Sequence, residues 1–163
     1  MKRDKTVGAL LILGIVGAIV FLSFLGTGSP RIVQRSNCFS NLKQIGLGLG
    51  MYADAHQGGL PAENGAKGLD HLVQEQILTK LEVFVCSRDR RRRVAQLGAP
   101  LTEDNCSYVY HPAVWQSGTD TNLLPVCWDK PGNHGANGFN VLFNDGHVQF
   151  MNPDEWEKIK PKQ

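Results

Sequence analysis

Cys38, Leu42, Ile45, Leu49 and Tyr52 recur at i, i+4, i+7, i+11 and i+14, which lines all five along one face of a helix. The opposite face carries Arg35, Asn41, Lys43 and Gln44, so residues 31–55 read as an amphipathic helix and not as a membrane-buried one. Gly46, Gly48 and Gly50 oppose it, since each costs about 1 kcal/mol in a helix relative to Ala. They make sense where another element packs close to the backbone. The expectation is a spine helix held by tertiary contacts.

Beyond the spine, His56 to Gly68 is a loop by composition. Leu69 to Leu78 reads as a short second helix with Leu69, Leu72, Val73 and Ile77 on one face, and Leu81 to Cys86 as a short extended run. Ser107 to Tyr110 and Leu123 to Trp128 are strand candidates. The clearest local signal is FNVLFNDGHVQFM, where Asp145-Gly146 separates two alternating runs and marks a hairpin. A two-residue turn there pairs Phe143 with Val148 and Val141 with Phe150. Val141, Phe143, Val148 and Phe150 would then share the face packed on the spine. Asn152 followed by Pro153 opens a last short helix around Trp156. A long helix laid across a small antiparallel sheet buries both apolar faces, so the expected class is α+β.

Residues 6–25 form an apolar run of about 20 residues without a charge, long enough to cross a bilayer. Lys2, Arg3 and Lys5 in the preceding residues 1–5 favour a cytoplasmic N-terminus. The run is longer than the usual signal-peptide core, which favours an uncleaved signal-anchor over cleavage near Gly26 and Gly28. Either way residues 31–163 are exported, as one modest domain. The 163-residue chain has a formal charge of only +2, so its total charge implies no acidic partner.

The candidates for chemistry are few. Arg88 and Arg90 to Arg93 (Arg90, Arg91, Arg92, Arg93) form a basic cluster that could meet an anionic ligand, nucleic acid included, or simply be solvated. With Trp115 they are the expected exposed contact groups. His134, Asp145 and His147, with Cys127 as a fourth donor, could be imagined as metal ligands. No C-x2-C or H-x3-H spacing supports them and the turn already explains Asp145, so no metal site is expected. No nucleophile motif is visible, and Gly46, Gly48 and Gly50 do not follow a strand as a dinucleotide loop would, so no enzyme and no cofactor are expected. In an exported compartment four cysteines read first as disulfides, with three pairings open.

Three pieces of the chain resemble one family. CFSNLKQIGLGLGMYADAHQGGLP is similar to the C-x-x-N-L-K-Q-I-G-L segment of bacterial type IV pilin-like proteins and type II secretion pseudopilins, and FVCSRD resembles the F-x-C-P-S-D step that follows it. HGANGFNVLFNDGHVQF resembles the C-terminal H-x9-DG motif of the planctomycete-type members, with His134, Asp145 and Gly146 as the motif residues in the hairpin region 134–151. The resemblance implies a pilin-like fold whose N-terminal helix is half membrane span and half spine. It implies a single-pass inner-membrane protein with an extracytoplasmic head, structural or adaptor-like, whose partners are other subunits of a secretion or pilus-like assembly. An envelope-anchored module that binds DNA or another anion through Arg88 to Arg93 is the alternative. Where the family carries a G-F-T-L-I-E type processing site, this chain reads RDKTVGALLI, which implies an unprocessed, permanently anchored relative. Ten residues, not nine, separate His134 from Asp145. Cys38 and Cys86 occupy family-matched positions and imply one disulfide, leaving Cys106 with Cys127 as the economical second. Major pseudopilins bind calcium near the C-terminus. Calcium is thus the one cofactor the resemblance raises, although no D-x-D-x-D-like ligand series is present.

Overall fold

The computed structural model describes residues 30–89, 93–112 and 124–161, with side chains from Asn37 onward. Nearly all of the described residues belong to one compact unit, Gln34–Gln163. The apolar run at 6–25, Arg90 to Arg92 and Trp115 lie outside the described residues. No helix among those described is long and apolar enough to cross a membrane.

The described part is α+β. Helix α1 (Pro30–Ala55) is followed by α2 (Gly65–Gln74), a 3-10 turn at Leu81–Phe84 and a four-stranded antiparallel sheet, and α3 (Pro153–Ile159) closes it. The strands β1 (Tyr108–Tyr110), β2 (Pro125–Asp129), β3 (Phe139–Phe143) and β4 (Val148–Met151) lie side by side in chain order.

Cys38, Leu42, Ile45, Leu49 and Tyr52 of α1 are all buried in the larger core, with Tyr108, Tyr110 and Leu142 of the sheet. Two of the three helix glycines earn their place by closeness. A Cβ on Gly46 would stand 2.8 Å from Leu142 Cδ1, and one on Gly48 would stand 3.0 Å from Leu78, whereas at Gly50 no described residue comes within 4 Å. The helix stops where Gln57 turns left-handed at φ 58° and the Gly58 N–H reaches back to the Ala53 carbonyl at 2.8 Å. Asn41, half-buried, donates to the Val85 carbonyl at 3.0 Å and the Tyr108 hydroxyl at 3.2 Å, so a polar residue also ties the spine to the sheet.

Helix α2 begins and ends earlier than its apolar stripe suggests. Its first turn is held from outside, by Glu103 Oε1 accepting from the Ala66 N–H at 2.7 Å, a carboxylate at the positive end of a helix. Lys130 holds the other oxygen of Glu103 at 2.7 Å. The run from Leu81, expected to be extended, is a 3-10 turn. Val83 and Val85 donate to carbonyls three residues back, so no strand ladder forms there.

The hairpin forms, but one residue out of the expected register. Leu142 faces Val148, Val141 faces Gln149, and Asn140 faces Phe150. The loop is longer than two residues: the Phe143 N–H donates to the His147 carbonyl at 2.9 Å, and the Gly146 N–H to the Phe143 carbonyl at 2.9 Å. Gly146, at φ 81°, takes the left-handed position. A one-residue slip exchanges the faces of the β3 side chains while Val148 of β4 keeps its expected place on the spine side. Leu142 and Val148 therefore enter the α1 core, while Val141 and Phe143 join Trp128, Met151 and Trp156 in a second cluster on the far side. Helix α3 covers that side. Asn152 and Glu155 form a reciprocal capping box at its start, with Pro at the first turn. The Trp156 ring packs 4.9 Å from Trp128 and 5.7 Å from Phe139.

Candidate functional site

The interior of the larger core contains a polar knot. Cys38 comes from the inner stripe of α1, Cys86 follows the 3-10 turn, Asp129 ends β2, and His134 sits in the loop between β2 and β3. All four are essentially without solvent exposure. Each offers a ligand-type atom, and these atoms all lie within 4.8 Å of one another.

Cys38 and Cys86 are joined in a disulfide, with their Cα atoms 5.2 Å apart and a sequence separation of 48. The bond ties the spine helix to the segment leading into the sheet. Beside it, His134 Nε2 lies 3.0 Å from Asp129 Oδ2 and 3.7 Å from Cys86 Sγ. Asn140, the second residue of β3, holds the same carboxylate oxygen twice, through its backbone N–H and its side-chain amide, both at 2.7 Å. That amide nitrogen also stands 3.2 Å from His134 Nε2. Asp129 Oδ1 and His134 Nδ1, both buried, have no hydrogen-bond partner among the described residues. The loop is pinned around them, with Asn133 donating to the Ser107 carbonyl at 2.7 Å and the His134 ring set edge-on to Phe150.

His134 thus lies with Asp129 and the two cysteines, and not with Asp145 and His147, the other ligand candidates. Asp145 and His147 sit together on the hairpin turn, where Asp145 Oδ1 accepts from the His147 N–H at 2.9 Å and from its Nδ1 at 2.6 Å. The backbone N–H of His147, then its ring, hold the Asp145 carboxyl below the usual aspartate range. Cys106 and Cys127 are buried thiols, which corrects the second disulfide expected between them. The Cys106 thiol turns instead onto the Tyr108 carbonyl at 3.5 Å. Burial, and then the Cys106 thiol nearby, push the Cys127 thiol well above its ordinary pKa. Of the basic cluster, Arg88 is half-buried and Arg93 exposed, and the Asp89 between them is buried and accepts from the Ser107 hydroxyl at 2.7 Å.

Asp129 and Asn140 carry the knot, and the motif reading passes over both. Their signal is a polar residue at the edge of an apolar strand run, which has to find a partner if it turns inward. Elsewhere, an open cleft of about 590 Å³ lies beside α3, lined by Trp128, Phe139 and Trp156. Its two charged lining residues, Glu157 and Lys160, pair with each other at 2.7 Å. No protein-family model, curated protein or solved structure matches the chain.

Proposed function

We propose that this chain is a membrane-anchored, pilin- or pseudopilin-like structural or adaptor protein serving a type II secretion or type IV pilus-like assembly. The observation that carries the reading is the use made of α1. Its stripe from Cys38 to Tyr52 is the buried backbone of the head, and it is locked there by the Cys38–Cys86 bond. In sequence, α1 begins at Pro30, five residues after an apolar run of membrane-spanning length. The outer face of the same helix exposes Phe39, Leu47 and Met51, as suits a helix that meets neighbouring subunits. The head, on this reading, is a rigid carrier and performs no catalysis.

Mass spectrometry of the natural protein from fractionated cells tests this. The expected result is an intact N-terminus in the inner-membrane fraction. A cut or methylated N-terminus near Val7 and Gly8 in sheared filaments would make the chain a processed pilin subunit and overturn its permanent anchoring. Recovery of the full chain in the soluble cytoplasmic fraction would overturn the reading altogether.

A further inference from the structure

We propose that, once the Cys38–Cys86 disulfide is reduced, the two thiolates, His134 Nε2 and a carboxylate oxygen of Asp129 form a closed four-ligand site for a borderline-soft divalent cation, with zinc the best fit.

The donor set is the first argument. Two cysteines, a histidine and an aspartate are all zinc ligands, and four protein donors without an open position make a structural site. A tetrahedral site with Zn–S near 2.3 Å needs its sulfur atoms about 3.8 Å apart. The four donor atoms here already lie within 4.8 Å of one another, on four different segments of the chain. Assembling the site therefore requires the two sulfurs to part and the more widely spaced donors to draw in.

The second argument is the unfinished hydrogen bonding around His134. Nε2 faces an acceptor, Asp129 Oδ2 at 3.0 Å, and a donor, the Asn140 amide at 3.2 Å. A proton on Nε2 suits the carboxylate and opposes the amide, while a lone pair suits the amide and opposes the carboxylate. A cation among the four donors would take the lone pair of Nε2 and offset the carboxylate charge, while the Asn140 amide keeps its bond to Asp129 Oδ2. Asp129 is prepared for this. Asn140 fixes Oδ2 with two N–H donors at 2.7 Å, and Oδ1 has no hydrogen-bond partner among the described residues. Holding a ligating carboxylate by its other oxygen is the usual task of an outer layer of hydrogen bonds. The loop carrying His134 offers a way in, since Gly132, Gly135, Ala136 and Asn137 around it are exposed.

The redox balance is simple. A dithiol gives two electrons and two protons to the Cys38–Cys86 disulfide and becomes a disulfide itself. The two new thiols then release their protons to water as the cation binds. The same two cysteines would clamp α1 to the segment before the sheet in either state, by a covalent bond when oxidised and through the metal when reduced.

Cobalt(II) titration of the full chain in detergent tests the site. The protein is reduced with a dithiol, freed of it under anaerobic conditions, and compared with the oxidised protein. One cobalt per reduced chain is expected, with the sulfur-to-cobalt charge-transfer band and intense visible bands of a tetrahedral thiolate site, displaced by zinc. The oxidised chain should bind none. Cys106→Ala with Cys127→Ala should leave the spectrum unchanged, Cys38→Ser with Cys86→Ser should abolish it, and Asp129→Asn should weaken binding tenfold or more. Failure of the reduced chain to bind cobalt overturns the proposal, as does binding that survives loss of Cys38 and Cys86. So does a reduced chain that loses the near-ultraviolet circular dichroism of its tryptophans and does not regain it with zinc. The comparison of oxidised and reduced wild-type protein needs no variant to fold.

Discussion

His134 Nε2 stands 3.0 Å from Asp129 Oδ2, with both side chains wholly out of solvent. Removing one side of a buried hydrogen-bonded pair leaves the other short of a partner, which typically costs about 1–3 kcal/mol, against near-neutral replacement of both by apolar groups, and Asn140 still donates twice to Asp129 Oδ2. His134→Ala is therefore expected to lower the unfolding free energy of the oxidised protein by about 1–3 kcal/mol. The double change His134→Leu with Asp129→Leu should cost less than the two single changes added together. Urea unfolding followed by tryptophan fluorescence decides it. A loss under about 1 kcal/mol for His134→Ala would show that the pair contributes no more than a surface contact.

The cysteines should separate cleanly by chemistry. Alkylation of the unfolded, unreduced chain followed by peptide mapping is expected to find Cys38 linked to Cys86, and Cys106 and Cys127 each carrying the label. In the folded chain Cys127 should resist alkylation even at mildly alkaline pH, since burial and the neighbouring Cys106 thiol raise its pKa and suppress the thiolate that reacts. Replacing Cys38 and Cys86 together by Ala should cost about 2–4 kcal/mol. A mapped Cys106–Cys127 peptide would contradict the structure directly.

Much of the architecture follows from patterns the sequence displays, because they are local and redundant. Five apolar positions at helical spacing put Cys38 to Tyr52 on one face, and Asn152-Pro153 marks a helix start by chemistry that tolerates few alternatives. The hairpin shows where that legibility stops. Asp145-Gly146 signals a turn in either register, but the loop closed by the Phe143 N–H and the His147 carbonyl is longer than a two-residue one. That single residue decides whether Val141 or Leu142 meets the spine. The buried knot was hidden for another reason. Asp129, His134 and Asn140 carry no fixed spacing, and only the pairing of β2 with β3 brings them to the disulfide. Leu81 to Cys86 misleads because β-type residues with no strand beside them fold into a 3-10 turn.

The hairpin turn gives a pH test of its own. Asp145 accepts from the His147 backbone N–H first and from the His147 ring second, and both favour the carboxylate over the acid. Its folded pKa lies below the unfolded value, so any stability it confers is present above the unfolded value and is lost as pH falls through the folded one. An NMR titration should place Asp145 below the ordinary aspartate range. His147→Ala should return it only part of the way, because the backbone donor stays. A full return would mean that the ring, and not the backbone, sets the shift.

Gly46 and Gly50 lie one turn apart on the same helix, yet they should respond to alanine with opposite signs. A Cβ at Gly46 would come within 2.8 Å of Leu142 Cδ1, closer than packed carbon atoms allow, so the contact between α1 and β3 must open or Leu142 must move. No atom of the described residues lies within 4 Å of the same position on Gly50, and its backbone is already helical. Gly50→Ala is therefore expected to stabilise the head by up to about 1 kcal/mol, the difference in helix propensity, while Gly46→Ala destabilises it by about 1–3 kcal/mol through overpacking. Denaturant midpoints of the two variants, with Gly48→Ala beside Leu78 falling between them, measure how closely the sheet holds the spine. If Gly46→Ala proves neutral or stabilising, Leu142 yields freely and the helix does not need its glycine to seat on the sheet.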